Sequence, residues 1–213
     1  MSISKQERQE KELTRLEMLT RFDEQYYNKG YSLICGIDEA GRGPLAGPVA
    51  AGAVILPRGC KILYVNDSKK LSEKRREELS ERIKEEAIAF SVAMVDNRRI
   101  DEINILQATY EAMRKAVESL KVKPDFLLVD GMAFPGSPVS MEPVVKGDAL
   151  SFSVAAASIL AKVARDRLMR DYDVAYPEYG YAKHKGYGTA AHMEAIRKYG
   201  PSPIHRKSFI TRI

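Results

Sequence analysis

At 213 residues, 45% hydrophobic and 30% charged, the chain has an ordinary globular composition: wholesale disorder is excluded, one domain is the default, and a core of this size needs neither disulfide nor structural metal. The charge-free run 149–161 carries three serines and is too short and polar for a bilayer span, and the charged start (Lys5, Glu7, Arg8, Glu10, Lys11, Glu12) is no secretory signal, so a cytoplasmic protein without a membrane partner and with reduced thiols at Cys35 and Cys60 is expected. The net charge of +5 is uneven: residues 151–213 hold eleven basic and five acidic residues and all three histidines, a segment suited to a phosphate backbone though weak evidence alone, whereas residues 31–150 hold seventeen and eighteen.

Residues 5–29 read as a surface helix with one narrow apolar stripe, Leu13, Leu16 and Leu19, packed on the main body. Short apolar runs bounded by Gly and Pro predict strands at 31–38 and 48–56, with 61–65 a candidate third. A helix is expected over 72–86, capped by Ser72 and with Leu79 and Ile83 four apart, followed by a strand at 88–95. The clearest helix is 99–120, where Ile100, Ile103, Leu106, Tyr110, Met113, Val117 and Leu120 recur every three or four residues. Residues 126–130 form a continuous apolar strand, as expected when both faces are covered. Two glycines and three prolines make 131–143 a loop; 149–173 reads as a helix whose Ala155, Ala156 and Ala157 suit close packing. A Gly/Tyr/Lys loop at 179–188 leads to a last helix from Thr189 to Lys198, stopped by Gly200, Pro201 and Pro203. This order predicts one α/β domain with a mixed sheet over 31–213, preceded by a charged helical extension at 1–30.

Asp38 and Glu39 close the first predicted strand. Neighbours on a strand face opposite ways, Ile37 with Leu33 and Cys35 and Asp38 with Ile34, so both acids serve one site only if the strand bends or ends there, which Ala40 and Gly41 permit. On these residues alone a solvated strand-end turn has similar weight. Gly41-Arg42-Gly43 would let phosphate or sugar oxygens approach the backbone. It lacks the ending of a Walker loop, and it runs into Pro44 and then a strand, unlike the dinucleotide fingerprint; alone it reads as a tight turn. Asp130 ends the 126–130 strand, where α/β sheets put their sites, although an aspartate that merely starts a turn looks the same. Asp148 precedes a predicted helix and alone reads as its N-cap.

Together these are four acids from three segments, which would repel one another unless divalent cations sat among them. Hard oxygen donors suit Mg²⁺ or Mn²⁺, and two such ions roughly 4 Å apart can drive an in-line phosphoryl displacement. No Cys/His zinc spacing and no Gly-x-Ser-x-Gly elbow competes. Residues 179–188 interleave Tyr179, Tyr181 and Tyr187 with Lys183, His184 and Lys185, which suits a phosphate and a sugar or base, or a solvated loop with its tyrosines laid on the core.

Read in order, GIDEAGRGPLAGPVAAGAVIL (36–56), NDSKKLS (66–72), LLVDG (127–131), VKGD (145–148), AAASILAKVARDRLM (155–169), HKGYGT (184–189) and PIHRKSF (203–209) resemble ribonuclease HII, the bacterial type 2 ribonuclease H, over about residues 31–210. The resemblance implies the ribonuclease H-like fold: a mixed central sheet flanked by helices, with extra C-terminal helices. It implies hydrolysis of the RNA strand of RNA–DNA hybrids and incision 5′ of single ribonucleotides embedded in duplex DNA. The implied chemistry uses two Mg²⁺ or Mn²⁺ ions and leaves 3′-hydroxyl and 5′-phosphate ends. By motif, Asp38, Glu39, Asp130 and Asp148 take the metal-site positions, with Asp38 the candidate to bridge both ions. Gly41, Arg42 and Gly43 match the backbone-rich motif at the 2′-hydroxyl and adjacent phosphates, Tyr187 matches the tyrosine that packs on a sugar at the RNA–DNA junction, and Lys69 is a candidate phosphate contact. Asp166, in VARDR, falls outside that set and reads as a helix-surface ion-pair residue. Some relatives carry a longer helical C-terminal tail that assists substrate binding; this chain stops soon after PIHRKSF, which bears on affinity and processivity rather than chemistry. A monomer is expected. The rivals are a non-catalytic hybrid binder, which gains nothing from a repulsive acid cluster, and another metal nuclease of the same fold, such as a resolvase, for which a ribose-sensing Gly41–Gly43 and Tyr187 have no use.

Overall fold

The computed structural model describes residues 5–211; residues 1–4 and 212–213, the outer ends of the two units expected from the sequence, lie outside them. Five strands, β1 (Ile34–Ala40), β2 (Val49–Ile55), β3 (Ala89–Val95), β4 (Phe126–Asp130) and β5 (Met141–Val144), form one sheet in the order β3-β2-β1-β4-β5. The β1–β2 and β2–β3 pairs are antiparallel, and β4 and β5 add to the other side in parallel. The predicted mixed sheet is thus present, with β1 at its centre.

Helices cover both faces. On one, α3 (Asn97–Glu118) packs Ile100, Ala108, Ala112 and Met113 on Cys35, Ile37, Ala51 and Ala53. On the other lies α5 (Phe152–Ala175), almost wholly buried along its first half. A Cβ at Gly36 would collide with the Ser153 carbonyl, and one at Gly52 with the Ala157 carbonyl, so these glycines and Ala155–Ala157 together let the helix lie directly on the strand backbones. Two more helices, α1 (Lys5–Tyr27) and α2 (Glu73–Glu86), extend this layer, with Leu16, Leu19, Leu79 and Ile83 joining Leu160. Leu13 is exposed, so the predicted stripe on α1 is narrower than three leucines. A short turn of helix, α4 (Gly147–Leu150), follows β5, and α6 (Tyr181–His184) and α7 (Ala190–Tyr199) follow α5. Among the described residues no helix is long and apolar enough to cross a membrane, and Cys35 and Cys60 are free thiols.

Several expectations need correction. Residues 61–65 are a turn, not a strand: Tyr64 has φ +73, and the buried residues, Ile62 and Val65, are three apart rather than alternating. The predicted loop 131–143 contains the start of β5, a parallel edge strand in which only Val144 is buried and where Pro143 is tolerated. The helix expected over 149–173 is two, α4 and α5, broken at the extended Ser151. Asn104 (φ 66, ψ 164) kinks α3, its Oδ1 accepting from the N–H groups of Leu106 and Gln107 and so capping the second segment. The 179–188 loop contains α6.

Candidate active site

Sheet register gathers the acids. The last β1–β4 pair is Ile37 with Val129, so Asp38 and Asp130 follow side by side where that parallel pairing stops; β1 does not end at the acids as the sequence suggested, because Glu39 and Ala40 still pair with Ala51 and Ala50 of β2. Asp130 in turn pairs with Val144, after which the chain turns through Lys146, left-handed at φ 57, into α4. Asp130 Oδ1 accepts from Gly147 N at 2.6 Å and ties this turn down. Asp148 therefore sits in the first turn of α4; Lys146 occupies the N-cap, so the N-cap reading of Asp148 is wrong.

The electrostatics follow from this proximity. Asp38 is 6% exposed, and burial, then Glu39, Asp130 and Asp148, hold its carboxyl well above the ordinary range, relieved in part by Glu39 N donating to its Oδ1 at 2.6 Å. Glu39 is raised by burial and by Asp130, against the opposing pull of Arg42, whose guanidinium lies 3.4 Å from Oε1, and of Lys69. Asp148 is raised by burial, then by Asp67 and Asp130, and eased by Lys69. For Lys69, burial opposes the charge but Asp148, Asp38, Asp67 and Asp130 outweigh it, leaving the amine raised. All four expected acids and Lys69 thus share one field.

Among the described residues no three His, Cys, Asp or Glu side chains are close enough to grip a cation as they stand. The donor set still fits one. It is all carboxylate oxygen, Asp38 stays above the ordinary range even with Lys69 near, and the mutual repulsion is what a hard divalent ion relieves.

Asp38, Glu39, Arg42, Lys69, Lys162 and Tyr187 line a cavity of about 500 Å³, which Gly41 and Gly43 also border. Gly41 has φ +94, and a Cβ there would clash with Arg165. Two buried guanidiniums shape this loop. Arg206 donates to the carbonyls of Gly41 (2.6 Å), Arg42 (2.9 Å), Gly47 (2.9 Å) and Pro48 (3.1 Å). Arg165 donates to those of Pro48 (2.8 Å), Ala46 (3.0 Å) and Lys185 (2.9 Å), joining the glycine loop to the Tyr187 loop. Burial pushes Arg206 down to about 9 and Arg165 to about 10. Tyr187 itself is 45% exposed, its ring beside Gly43.

Four residues near the site escaped the sequence reading. Asp67 lies near Asp148, helping to raise its carboxyl, and caps the 68–70 turn by accepting from Lys69 N. Lys162 reaches the cavity from α5. Arg165 and Arg206 lie in the VARDR and PIHRKSF stretches, but nothing local marks a buried arginine. Asp166 is an ion-pair residue as expected, with Lys162 at 2.6 Å and Arg76 at 3.5 Å, yet it is 2% exposed rather than on the helix surface.

The family described as Ribonuclease HII matches residues 35–212. The chain is 59% identical over 203 residues to a ribonuclease HII of Clostridioides difficile (strain 630), covering 95% of this chain and 80% of that one. The fold is similar to the ribonuclease H2 crystal structure from Pyrococcus horikoshii OT3, with TM-score 0.67 and 30% identity over 82% of this chain and 92% of that one. It is also similar to ribonuclease HII of Archaeoglobus fulgidus, solved in complex with PCNA, with TM-score 0.68 and 28% identity over 82% and 94% of the two chains. A mixed five-stranded sheet, carboxylates on two adjacent strands and a family match across nearly the whole chain converge: this chain belongs to the ribonuclease HII family and is an endoribonuclease of the ribonuclease H type.

Proposed function

We propose that this chain incises duplex DNA on the 5′ side of single embedded ribonucleotides and cuts the RNA strand of RNA–DNA hybrids, using two divalent cations held by Asp38, Glu39, Asp130 and Asp148. Endoribonuclease action on hybrids comes with the family; the ribonucleotide specificity, the two-ion site and the residue roles are the proposal. Mg²⁺ or Mn²⁺ bound there would supply positive charge to the scissile phosphate and lower the pKa of the attacking water. Asp38, flanked by Glu39 and Asp130 and the most buried of the four, is the best placed to be shared between two ions. The observation that carries the reading is the single cavity onto which Asp38 and Glu39, the Gly41–Gly43 loop, Lys69 and Tyr187 all open. Gly41–Gly43 would meet the 2′-hydroxyl and adjacent phosphate, Lys69 a phosphate, and the Tyr187 ring the sugar at the junction. The 2′-hydroxyl is the one group that separates the substrate from plain DNA.

The test is cleavage of an end-labelled DNA duplex carrying one ribonucleotide, beside an all-DNA duplex, with Mg²⁺, Mn²⁺ or chelator. Cation-dependent incision 5′ of the ribonucleotide, with the all-DNA duplex intact and Asp38→Asn inactive, is expected. Cutting of both duplexes alike would remove the ribose-sensing role of Gly41–Gly43. Binding without incision in either cation would leave a non-catalytic hybrid binder.

A further inference from the structure

The three histidines lie together behind the Tyr187 loop, and the chemistry above uses none of them. His192 and His205 are 0% and 2% exposed, with their Nε2 atoms 3.0 Å apart. Backbone groups at either end decide where the protons sit. The Ser202 N–H can only donate, and it meets His205 Nδ1 at 2.8 Å, so that nitrogen carries a lone pair. A neutral His205 then holds its proton on Nε2. The Tyr187 carbonyl can only accept, and it lies 2.9 Å from His192 Nδ1, so that nitrogen carries the proton. A neutral His192 then offers Nε2 as an acceptor. Assignments made independently from the two ends therefore agree on one bond, His205 Nε2–H to His192 Nε2.

A second proton on either ring would set N–H against N–H, at the Ser202 amide or between the rings. The titratable groups facing the pair are His184, stacked on His192 at 4.3 Å, Tyr181, edge-on to His192 at 5.4 Å, and Tyr179, 5.2 Å from His205. None is a carboxylate that would favour a charged ring. Burial, with the neighbouring rings, pushes His205 down to about 4 and His192 below its ordinary value. The chain of donors stays intact at neutral pH.

Its far end is the main chain of Tyr187. That carbonyl also accepts from Thr189 N at 2.8 Å, and Tyr187 N donates to the His184 carbonyl at 2.9 Å. The backbone is fastened on both sides, while the ring stays partly exposed beside Gly43. We propose that the neutral relay from Ser202 N–H through His205 and His192 to the Tyr187 carbonyl is a positioning device that sets the Tyr187 ring against the sugar at the RNA–DNA junction; this rests on the junction-reading role proposed for Tyr187. His192 and His205 are positioning residues and touch no substrate.

The test is a double-mutant cycle on the single-ribonucleotide duplex, with folding of each variant checked by circular dichroism. Tyr187→Ala lowers kcat/KM. His192→Ala lowers it about tenfold in the wild-type background and less than about twofold in the Tyr187→Ala background. His192→Asn, whose amide N–H replaces the Nδ1–H, recovers most of the loss. Equal losses from His192→Ala in both backgrounds would make its role general packing and overturn the relay. Full activity of His192→Ala beside an impaired Tyr187→Ala overturns the relay and leaves the Tyr187 reading standing; full activity of Tyr187→Ala overturns both. Should His192→Ala not fold, His192→Phe, which keeps a ring in place and removes both hydrogen bonds, takes its place in the same cycle. Imidazole ¹⁵N spectra of the wild-type protein test the geometry directly: the Nδ1–H tautomer at His192 and the Nε2–H tautomer at His205 are expected between about pH 6 and 8, and a charged ring or the opposite tautomer at either position refutes the relay.

Discussion

At the scale of single residues, Asp38 is held in a state that opposes the fold. Its folded pKa is raised, by burial and then by Glu39, Asp130 and Asp148. The protonated form is therefore favoured in the native state. Stability from this group is fully present below the unfolded value near pH 4 and is lost as pH rises towards the folded one. Removing the charge removes the penalty. Asp38→Asn, in chelator at pH 8, is expected to be more stable than wild type by on the order of 1–3 kcal/mol while losing cleavage, as read by denaturant unfolding beside the duplex assay. An unchanged or lower unfolding midpoint would mean that the carboxylates do not repel as their placement implies. The acids were legible through the resemblance: locally Asp38 and Asp130 close apolar runs, but a solvated turn fits the same residues, and Asp148 alone reads as an N-cap. Arg165 and Arg206 were not. Their partners are carbonyls more than a hundred residues away, apart from the Lys185 carbonyl, and no local pattern announces a guanidinium that pairs with backbone instead of an acid.

At the scale of elements, the same contrast separates β1 from β5. The burial of β2, of β1 up to Asp38 and of β4 up to Asp130 shows as continuous apolar sequence, whereas β5 is an edge strand with one buried side chain and is defined by its pairing with β4 alone. The break between α4 and α5 was hidden for a related reason: Ser151 ends one helix and caps the next, accepting from Val154 N at 3.2 Å, and sequence shows only one helical run. That serine also meets α1. Asp23 accepts from Ser151 Oγ (2.6 Å), Ser153 N (2.8 Å) and Ser153 Oγ (2.7 Å), so one buried carboxyl docks the N-terminal helix three residues past Asp148. Removing it would orphan those donors in a dry environment. Asp23→Ala should cost about 2–4 kcal/mol. Hydrogen exchange should show protection lost first in α1 and at residues 151–154; loss spread evenly over the sheet would mean that α1 is no separate docked element.

At the scale of the whole molecule, charge is divided along the chain and then folded into one field. The acids come from β1, β4 and α4, all before residue 150, whereas the excess positive charge comes from residues 151–213, whose Lys162 lines the cavity that Asp38 and Glu39 border. The division was visible in the sequence; its focusing onto one cavity was not, because it depends on the sheet order that places β1 beside β4. Lys69, raised by four surrounding carboxylates, stays firmly charged at neutral pH. If it meets a phosphate, it displaces a counterion, and duplex binding must weaken with salt by that increment. In an Asp38→Asn background that binds without cutting, Lys69→Ala should weaken binding to every duplex and make the slope of log affinity against log salt shallower by about 1. Tyr187→Ala, which removes a stacking face and no charge, should weaken binding without changing the slope. An unchanged slope in Lys69→Ala would assign that lysine to the acids alone, as the cation that steadies Asp148 and Asp67 rather than one that holds the substrate.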